Sequence, residues 1–392
     1  MKEGWEYKTF KDQFSINMGK TPPRGDSSSW DKSKITTNKW VSIADISLNE
    51  GKIIFDTKEY ISDKAAEKIK KVKAGSLLMS FKLTIGKMAF AGDDLFTNEA
   101  IIAIPQNEDY DLHFLYYYLL QYDWRTLTEG NEKVKGATLN KQSIGKIQLP
   151  IISMDEQRRI VSYLDSSFKL IDEIKNKALK SLTEAKALFQ SALAEAMEPK
   201  EGWEEKTLGE LCSIIGGGTP SKKNSSYYNG DIPWATVSDM NCDYLQNTIC
   251  KISDDGVKNS STQIISKNEV IIATRVGLGK VCILCQDTAI NQDLKGIIPK
   301  SDNKLIRKFI FWWFRSKSNY IVSNGVGATV KGVKLSFVSN LKISLPTIST
   351  QKQIVSRLDK LSSKVRAIEE KYKKMVEECD ALKQAMLRDV FE

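Results

Sequence analysis

The chain contains its own pattern twice. Glu3-Gly4-Trp5-Glu6 returns as Glu201-Gly202-Trp203-Glu204, and Lys8-Thr9 returns as Lys206-Thr207. The pairing continues in order: Thr21-Pro22 with Thr219-Pro220, Trp40 and Asp45 with Trp234 and Asp239, Gly86-Lys87 with Gly279-Lys280. Val134-Lys135-Gly136 then matches Val330-Lys331-Gly332, Leu149-Pro150 matches Leu345-Pro346, and Ile160-Val161-Ser162 matches Ile354-Val355-Ser356. The offset is 198 residues from Thr21 to Thr219 and 193 from Gly86 to Gly279. A period this long is far beyond a solenoid unit. The chain is a duplicated domain, and each copy has a globular part followed by a helical part.

The globular parts read as mixed α/β. Short β-rich runs, Gly75 to Met79 and Glu269 to Ala273, are bounded by turn residues. One aromatic helix is expected in each copy, near Asp111 to Trp124 and Asn303 to Lys317. Tyr116-Tyr117-Tyr118 and Trp312-Trp313 on these helices read as core rather than as base-stacking residues.

The helical parts read more sharply. Ile354, Leu358, Leu361, Val365, Ile368, Tyr372, Met375, Cys379, Leu382 and Met386 alternate spacings of four and three, which is a heptad seam. The equivalent row in the first copy is Ile160, Leu164, Ser167, Ile171, Ile174, Ala178, Ser181, Ala185, Leu188 and Ala192. Ser153–Glu156 and Thr350–Gln353 fit capping boxes. A helix of about 41 residues is roughly 60 Å long. The expected layout is globular 1–152, helix 153–198, globular 199–348 and helix 349–392.

If the two helices pair antiparallel, the two globular parts acquire an approximate two-fold relation. Duplex DNA has the same symmetry, and dimeric readers use it to contact separated half-sites. The copies have diverged, however. Lys82 stands where Arg275 does, Glu99 where Gln292 does, and Gly25 where Lys223 does. Two different readers imply a split, asymmetric target with an unread spacer.

Charge agrees with that reading. The formal net charge is +9, and residues 199–350 hold 19 basic against 13 acidic side chains. Residues 155–198 hold 7 and 8, close to neutral, as expected for segments that meet protein rather than phosphate. A basic balance permits a polyanionic partner without proving one.

Several chemistries are disfavoured. All six cysteines lie beyond residue 211, so a disulfide framework is not expected and a reducing cytoplasm fits. Cys282-Ile283-Leu284-Cys285 is an isolated pair in an apolar run, and the single histidine, His113, lies in the other copy. No metal site is expected. Gly86-Lys87 and Gly279-Lys280 lack the first glycine and the Ser/Thr of a phosphate-binding P-loop. The start has no apolar signal core, and no apolar run is long enough to span a membrane. No catalytic residue is identified. Gly216-Gly217-Gly218 is open between a phosphate-binding backbone nest and a plain turn.

The order globular, helix, globular, helix resembles the specificity subunits of type I restriction–modification enzymes. The resemblance is carried by Gly202-Trp203-Glu204 with Lys206-Thr207, by Gly216 to Ser221, by Trp234 to Asp239, by Ala273 to Lys280, and by Leu149-Pro150 ahead of Glu156 to Val161. It covers essentially the whole chain. It implies α/β (α+β) target-recognition domains, duplicated and joined by two long α-helices in an antiparallel coiled coil. It implies no cofactor in this chain, with S-adenosylmethionine, ATP and Mg used by partner subunits. Those partners are two adenine-N6 methyltransferase subunits and two restriction/translocase subunits, beside double-stranded DNA. One departure stands out: the first copy has Met18-Gly19-Lys20-Thr21-Pro22-Pro23, without the triple glycine.

Phosphate contacts are expected from Lys20, Arg24, Lys82, Lys87, Lys135, Lys222, Lys223, Arg275, Lys280 and Lys331. Helix pairing is expected from Ile160, Leu164, Ile171, Leu188, Ile354, Leu358, Leu361, Val365, Ile368 and Leu382. A self-contained enzyme, a coiled-coil scaffold with two protein-binding domains, and a specificity subunit of a related non-type-I modification system are the competing readings. DNA binding that falls steeply with salt separates the leading reading from the scaffold.

Overall fold

A computed structural model describes residues 2–127, 135–327 and 330–392. Four of its helices organise the chain: α1 Leu112–Leu120, α2 Met154–Ala196, α3 Arg307–Ser323 and α4 Ile348–Phe391. Two compact units form. One comprises residues 1–177 with 374–392, and the other comprises 178–373. Each unit therefore holds one globular part, a section of α2 and a section of α4.

In the first unit a five-stranded sheet runs in the order Asn17–Met18, Ile101–Ile104, Leu77–Ser80, Met88–Ala91, Ile53–Ile54. The last strand pairs parallel and the others antiparallel. The second unit repeats this order with Cys212–Gly216, Leu294–Pro299, Val270–Ala273, Val281–Leu284, Tyr244–Leu245, again parallel only at the last pair. The central strands are buried on both faces, so they read as continuous apolar runs rather than as alternating ones.

The aromatic helices close one face of each sheet. Phe114, Leu115 and Leu119 of α1 pack with Leu77, Met79 and Ile102. Phe309, Phe311, Trp312, Trp313 and Phe314 of α3 pack with Val270, Ile272 and Ile297. Tyr117, Tyr118, Trp312 and Trp313 are all buried, as expected of core aromatics. The long helices share these cores. Ile160 and Leu164 of α2 and Leu387 and Phe391 of α4 complete the first. Phe189 and Leu193 of α2 and Val355 and Leu358 of α4 complete the second.

Within each unit α2 and α4 run antiparallel. In the first, Asp172 bonds Lys383 at 2.6 Å and Lys175 bonds Asp380 at 2.8 Å, so numbers rise along one helix as they fall along the other. In the second, Lys186 bonds Glu369 at 2.8 Å and Glu195 lies 3.6 Å from Arg357.

The helix starts differ in detail from the capping boxes. Ser153 accepts the Glu156 N–H, but Glu156 turns to Arg159 instead of reaching back. The second helix begins earlier, at Ile348, and Thr347 rather than Thr350 supplies the capping oxygen, to the Thr350 N–H. Pro346 forces the chain out of helix just before that point, which makes Thr347 the first residue able to cap.

Candidate nucleic-acid interface

Each unit presents one loop built the same way. In the second it is Thr274 to Lys280, joining two central strands. Ala273 N–H donates to the Lys280 carbonyl, Thr274 N–H to the Asp293 carbonyl, and Val333 N–H to the Thr274 carbonyl. In the first it is Phe81 to Lys87, where Ser80 donates to Lys87, Phe81 to Ala100, and Leu139 to Phe81. Arg275 bridges to Gly332, and Lys82–Thr84 pairs with Lys135–Thr138. Lys135-Gly136 and Lys331-Gly332 thus return beside the basic loops, which the sequence spacing did not reveal.

The expected cations occupy different situations. Lys20, Lys222, Lys223 and Lys331 are exposed and, among the described residues, their ammonium groups make no hydrogen bond or ion pair. Lys82 sits over the Phe81 ring. Arg275 is exposed, with its guanidinium 3.7 Å from Asp293. Lys87 is bonded to Glu50. Lys280 is bonded to the Val237 carbonyl and to Asn241. Arg24 is clamped by Glu59 and stacks over Trp30 and Trp40, 4.2 and 4.9 Å from the ring centres. The side chain of Lys135 lies outside the described residues.

The glycine run resolves toward packing. Gly216 to Gly218 keep negative φ, so no left-handed nest forms. A Cβ on Gly217 would stand 2.2 Å from the Asn291 carbonyl oxygen, and one on Gly218 2.3 Å from Ser261 Oγ. The first copy keeps a glycine only at the first of these two crowded positions. Gly19 meets Thr97 in the same way, and Lys20 takes the place of Gly218. The Lys20 and Gly218 carbonyls each accept an indole N–H, from Trp40 and Trp234.

Along the helix pair, Ile160, Leu164, Ile171 and Leu358 are buried, and Ile354, Leu361 and Val365 are half-buried. Leu188, Ile368 and Leu382 face outward, Leu188 with 72% of its surface exposed. The seam in the structure runs through Leu164, Phe168, Ile171, Lys175, Ala178, Leu182, Ala185 and Phe189, one residue later than the expected row at alternate positions. On α4 the same shift substitutes Ser362 for Leu361, Glu369 for Ile368 and Lys383 for Leu382. Lys175 and Lys383 lay their apolar stems on the seam and carry their charge across to the other helix, which leaves Ile174 and Leu382 outside. Sequence spacing counts apolar residues and cannot see an ion pair formed across the seam.

Sequence reading also missed two buried latches. Gln157 and Gln351 are fully buried at the starts of α2 and α4. Each accepts the N–H at the head of an aromatic helix, from Asp111 and Ile306, both at 2.9 Å. Asp165 accepts from the Tyr117 hydroxyl at 2.5 Å, and Asp359 from the Trp312 indole at 2.9 Å. Their signal was present, since glutamine and aspartate recur at these places in both copies.

Cys282 is buried among apolar residues, which pushes its thiol up to about 12. Among the described residues no group of three or more His, Cys, Asp or Glu could hold a metal ion, and no helix is long and apolar enough to cross a membrane.

Two like α/β domains, each with a basic loop and each latched onto an antiparallel helix pair, define a duplicated modular protein. The model of the type I restriction modification DNA specificity domain matches residues 2–184 and again residues 200–378, and the chain belongs to that family. The specificity subunit of the type I restriction enzyme EcoR124I/EcoR124II of Escherichia coli is 29% identical over 272 residues, 66% of this chain and 65% of that one. The MjaIX specificity subunit of Methanocaldococcus jannaschii is 30% identical over 165 residues, 41% and 38% of the two chains. The chain thus spans less than two thirds of the length of either relative. The putative MjaX specificity subunit of the same organism is 23% identical over 84% of this chain and 82% of its own.

Solved structures share the fold. A chain from work on complex assembly and conformational transition of the type I R-M system superposes with a TM-score of 0.79, covering 100% of this chain and 98% of that one at 20% identity. The HsdS subunit from Thermoanaerobacter tengcongensis gives 0.58, covering 100% and 97% at 19% identity.

Proposed function

We propose that the chain is the non-catalytic specificity subunit of a type I restriction–modification complex. Each unit reads one half of a bipartite, asymmetric duplex target, and the paired helices set the separation of the halves. Partner subunits supply adenine-N6 methylation, with S-adenosylmethionine, and restriction driven by ATP and Mg. The complex works in the cytoplasm. Phosphate contacts come from Lys20, Arg24, Lys82, Lys87, Lys135, Lys222, Lys223, Arg275, Lys280 and Lys331.

One observation carries this reading. The two units repeat the same strand order, the same latches and the same loop frame, while the exposed residues on the frame differ. A common scaffold with divergent loops is what two readers of different half-sites require.

The helices support the recruitment of paired subunits. Ile174 and Leu382 are exposed at one level of the helix pair in the first unit, and Leu188 and Ile368 are exposed at one level in the second. Ile174 corresponds to Ile368 and Leu188 to Leu382 in the duplication. Two equivalent apolar patches suit two copies of one partner.

Domain exchange tests the reading. Residues 201–350 are replaced by those of a relative with a different target, and the methylome is sequenced. One half of the methylated motif should change and the other persist. A change in both halves, or in neither, overturns modular reading.

A further inference from the structure

The loop frame ends, in both units, on an exposed apolar residue held in left-handed backbone. Val276 has φ 28° and is 50% exposed, and Leu83 has φ 64° and is 60% exposed. They sit at the same place, each directly after the loop's first cation, Arg275 or Lys82, and four residues before its last, Lys280 or Lys87.

A single exposed aliphatic residue needs no explanation. This pair differs in its backbone. Glycine, asparagine and aspartate take positive φ at little cost, whereas leucine pays for it and a β-branched valine pays more. A solvent-facing turn gains nothing from either side chain. The conformation persists because the frame beneath imposes it, with three matching backbone hydrogen bonds in each unit. Each tip is therefore a preorganised apolar probe.

The surroundings name the surface it meets. Arg275 and Lys331 are exposed beside Val276 on segments bridged through Gly332, and exposed Val326 bridges the same glycine. Cations flanking an apolar point suit the edge of a duplex groove, where phosphates line the rim and base edges form the floor. The one methyl group on the major-groove floor is that of thymine, and it stands among N7, O6, N6, N4 and O4 groups that donate or accept hydrogen bonds.

We propose that Val276, and Leu83 at the equivalent place, are specificity-determining residues that each read a thymine methyl in the major groove. The proposal rests on the DNA-specificity reading above. Arg275 and Lys82 then position the probe through phosphate.

The test uses the reconstituted complex with the methyltransferase subunits and a duplex carrying the methylated motif found by methylome sequencing. Each thymine is replaced in turn by uracil, which deletes only the methyl. Wild type should lose about four-fold in affinity at one thymine of the half-site read by the second unit, the factor one buried carbon is worth. Val276→Gly suits the positive φ, so the fold tolerates it. It should bind the motif several-fold more weakly, show no uracil penalty at that thymine, and keep its affinity for an unrelated duplex. Leu83→Gly should do the same for the other half-site.

If wild type discriminates between duplexes but Val276→Gly matches it, or retains the uracil penalty, this proposal falls and the specificity reading stands. If Val276→Gly loses the methyltransferase subunits while keeping DNA affinity, the probe faces protein and the proposal is overturned. A wild-type complex that prefers no duplex overturns both.

Discussion

The side-chain oxygen of Gln351 accepts the backbone N–H of Ile306 at 2.9 Å, which fixes the head of the aromatic helix α3 to the first turn of α4. The same amide donates to the Lys304 and Pro346 carbonyls at 2.9 and 3.0 Å. Gln157 does the same in the other unit, with Asp111, Asp109 and Ile152. Each glutamine is a buried rivet between a recognition domain and the helix that carries it.

Removing Gln351 leaves three backbone groups without this partner, the Pro346 carbonyl buried and the Ile306 N–H and Lys304 carbonyl part-buried. Gln351→Leu should destabilise its unit by about 2–4 kcal/mol, since each orphaned group costs more than a net hydrogen bond returns. Urea unfolding followed by hydrogen exchange measures this, and the loss should be local to residues near Ile306. A variant as stable as wild type would show that water reaches these groups.

A second prediction concerns pairing choice. Lys175 corresponds in the duplication to Glu369, and Asp380 to Lys186, so the equivalent ion pairs Lys175–Asp380 and Lys186–Glu369 have opposite polarity. Two α2 helices paired in this register would set Lys175 against Lys186, and two α4 helices would set Glu369 against Asp380. The charges favour α2 with α4 over either with its own copy. Lys175→Asp should cost up to about 1 kcal/mol, and adding Asp380→Lys should restore most of it. A double-mutant cycle with no coupling would remove the pair from the account.

What the sequence made legible was whatever depends on order and burial: the duplication, the four-part layout, and core positions such as Tyr117 and Trp312. What it hid depends on contacts made across the chain. The heptad row chose Leu188 over Phe189 because both are apolar and only the facing helix decides between them. Gln351 lay inside a segment read as a helix cap, and nothing in its neighbours reveals that Lys304 and Ile306 reach it. Arg24 counts as a basic residue in sequence, yet Glu59 and two tryptophans already engage it in the fold.

Thiol chemistry offers a third check. Burial pushes Cys212 and Cys282 up to about 12. At pH 8 their thiolate fraction is of order one in ten thousand, and the thiolate is the reactive form. Exposed Cys250 should be labelled first by a disulfide reagent, and Cys212 and Cys282 only on unfolding. A chelator should change neither pattern. Rapid labelling of Cys282 in the native protein would contradict its place in the core.

The last prediction separates the free cations from the engaged ones. Lys222 and Lys223 are exposed and, among the described residues, make no ion pair, so a phosphate releases a counterion when it meets either. Each Lys→Ala change there should lower the slope of log affinity against log salt by about 0.9. Lys87 must first leave Glu50, and Arg24 must leave Glu59, before either can meet phosphate. Their removal should therefore lower the slope by less, and Glu50→Gln should strengthen binding to any duplex by freeing Lys87. Titrations at several salt concentrations read all of these. Equal slopes for Lys87→Ala and Lys222→Ala would mean that the carboxylate partners are displaced at no cost.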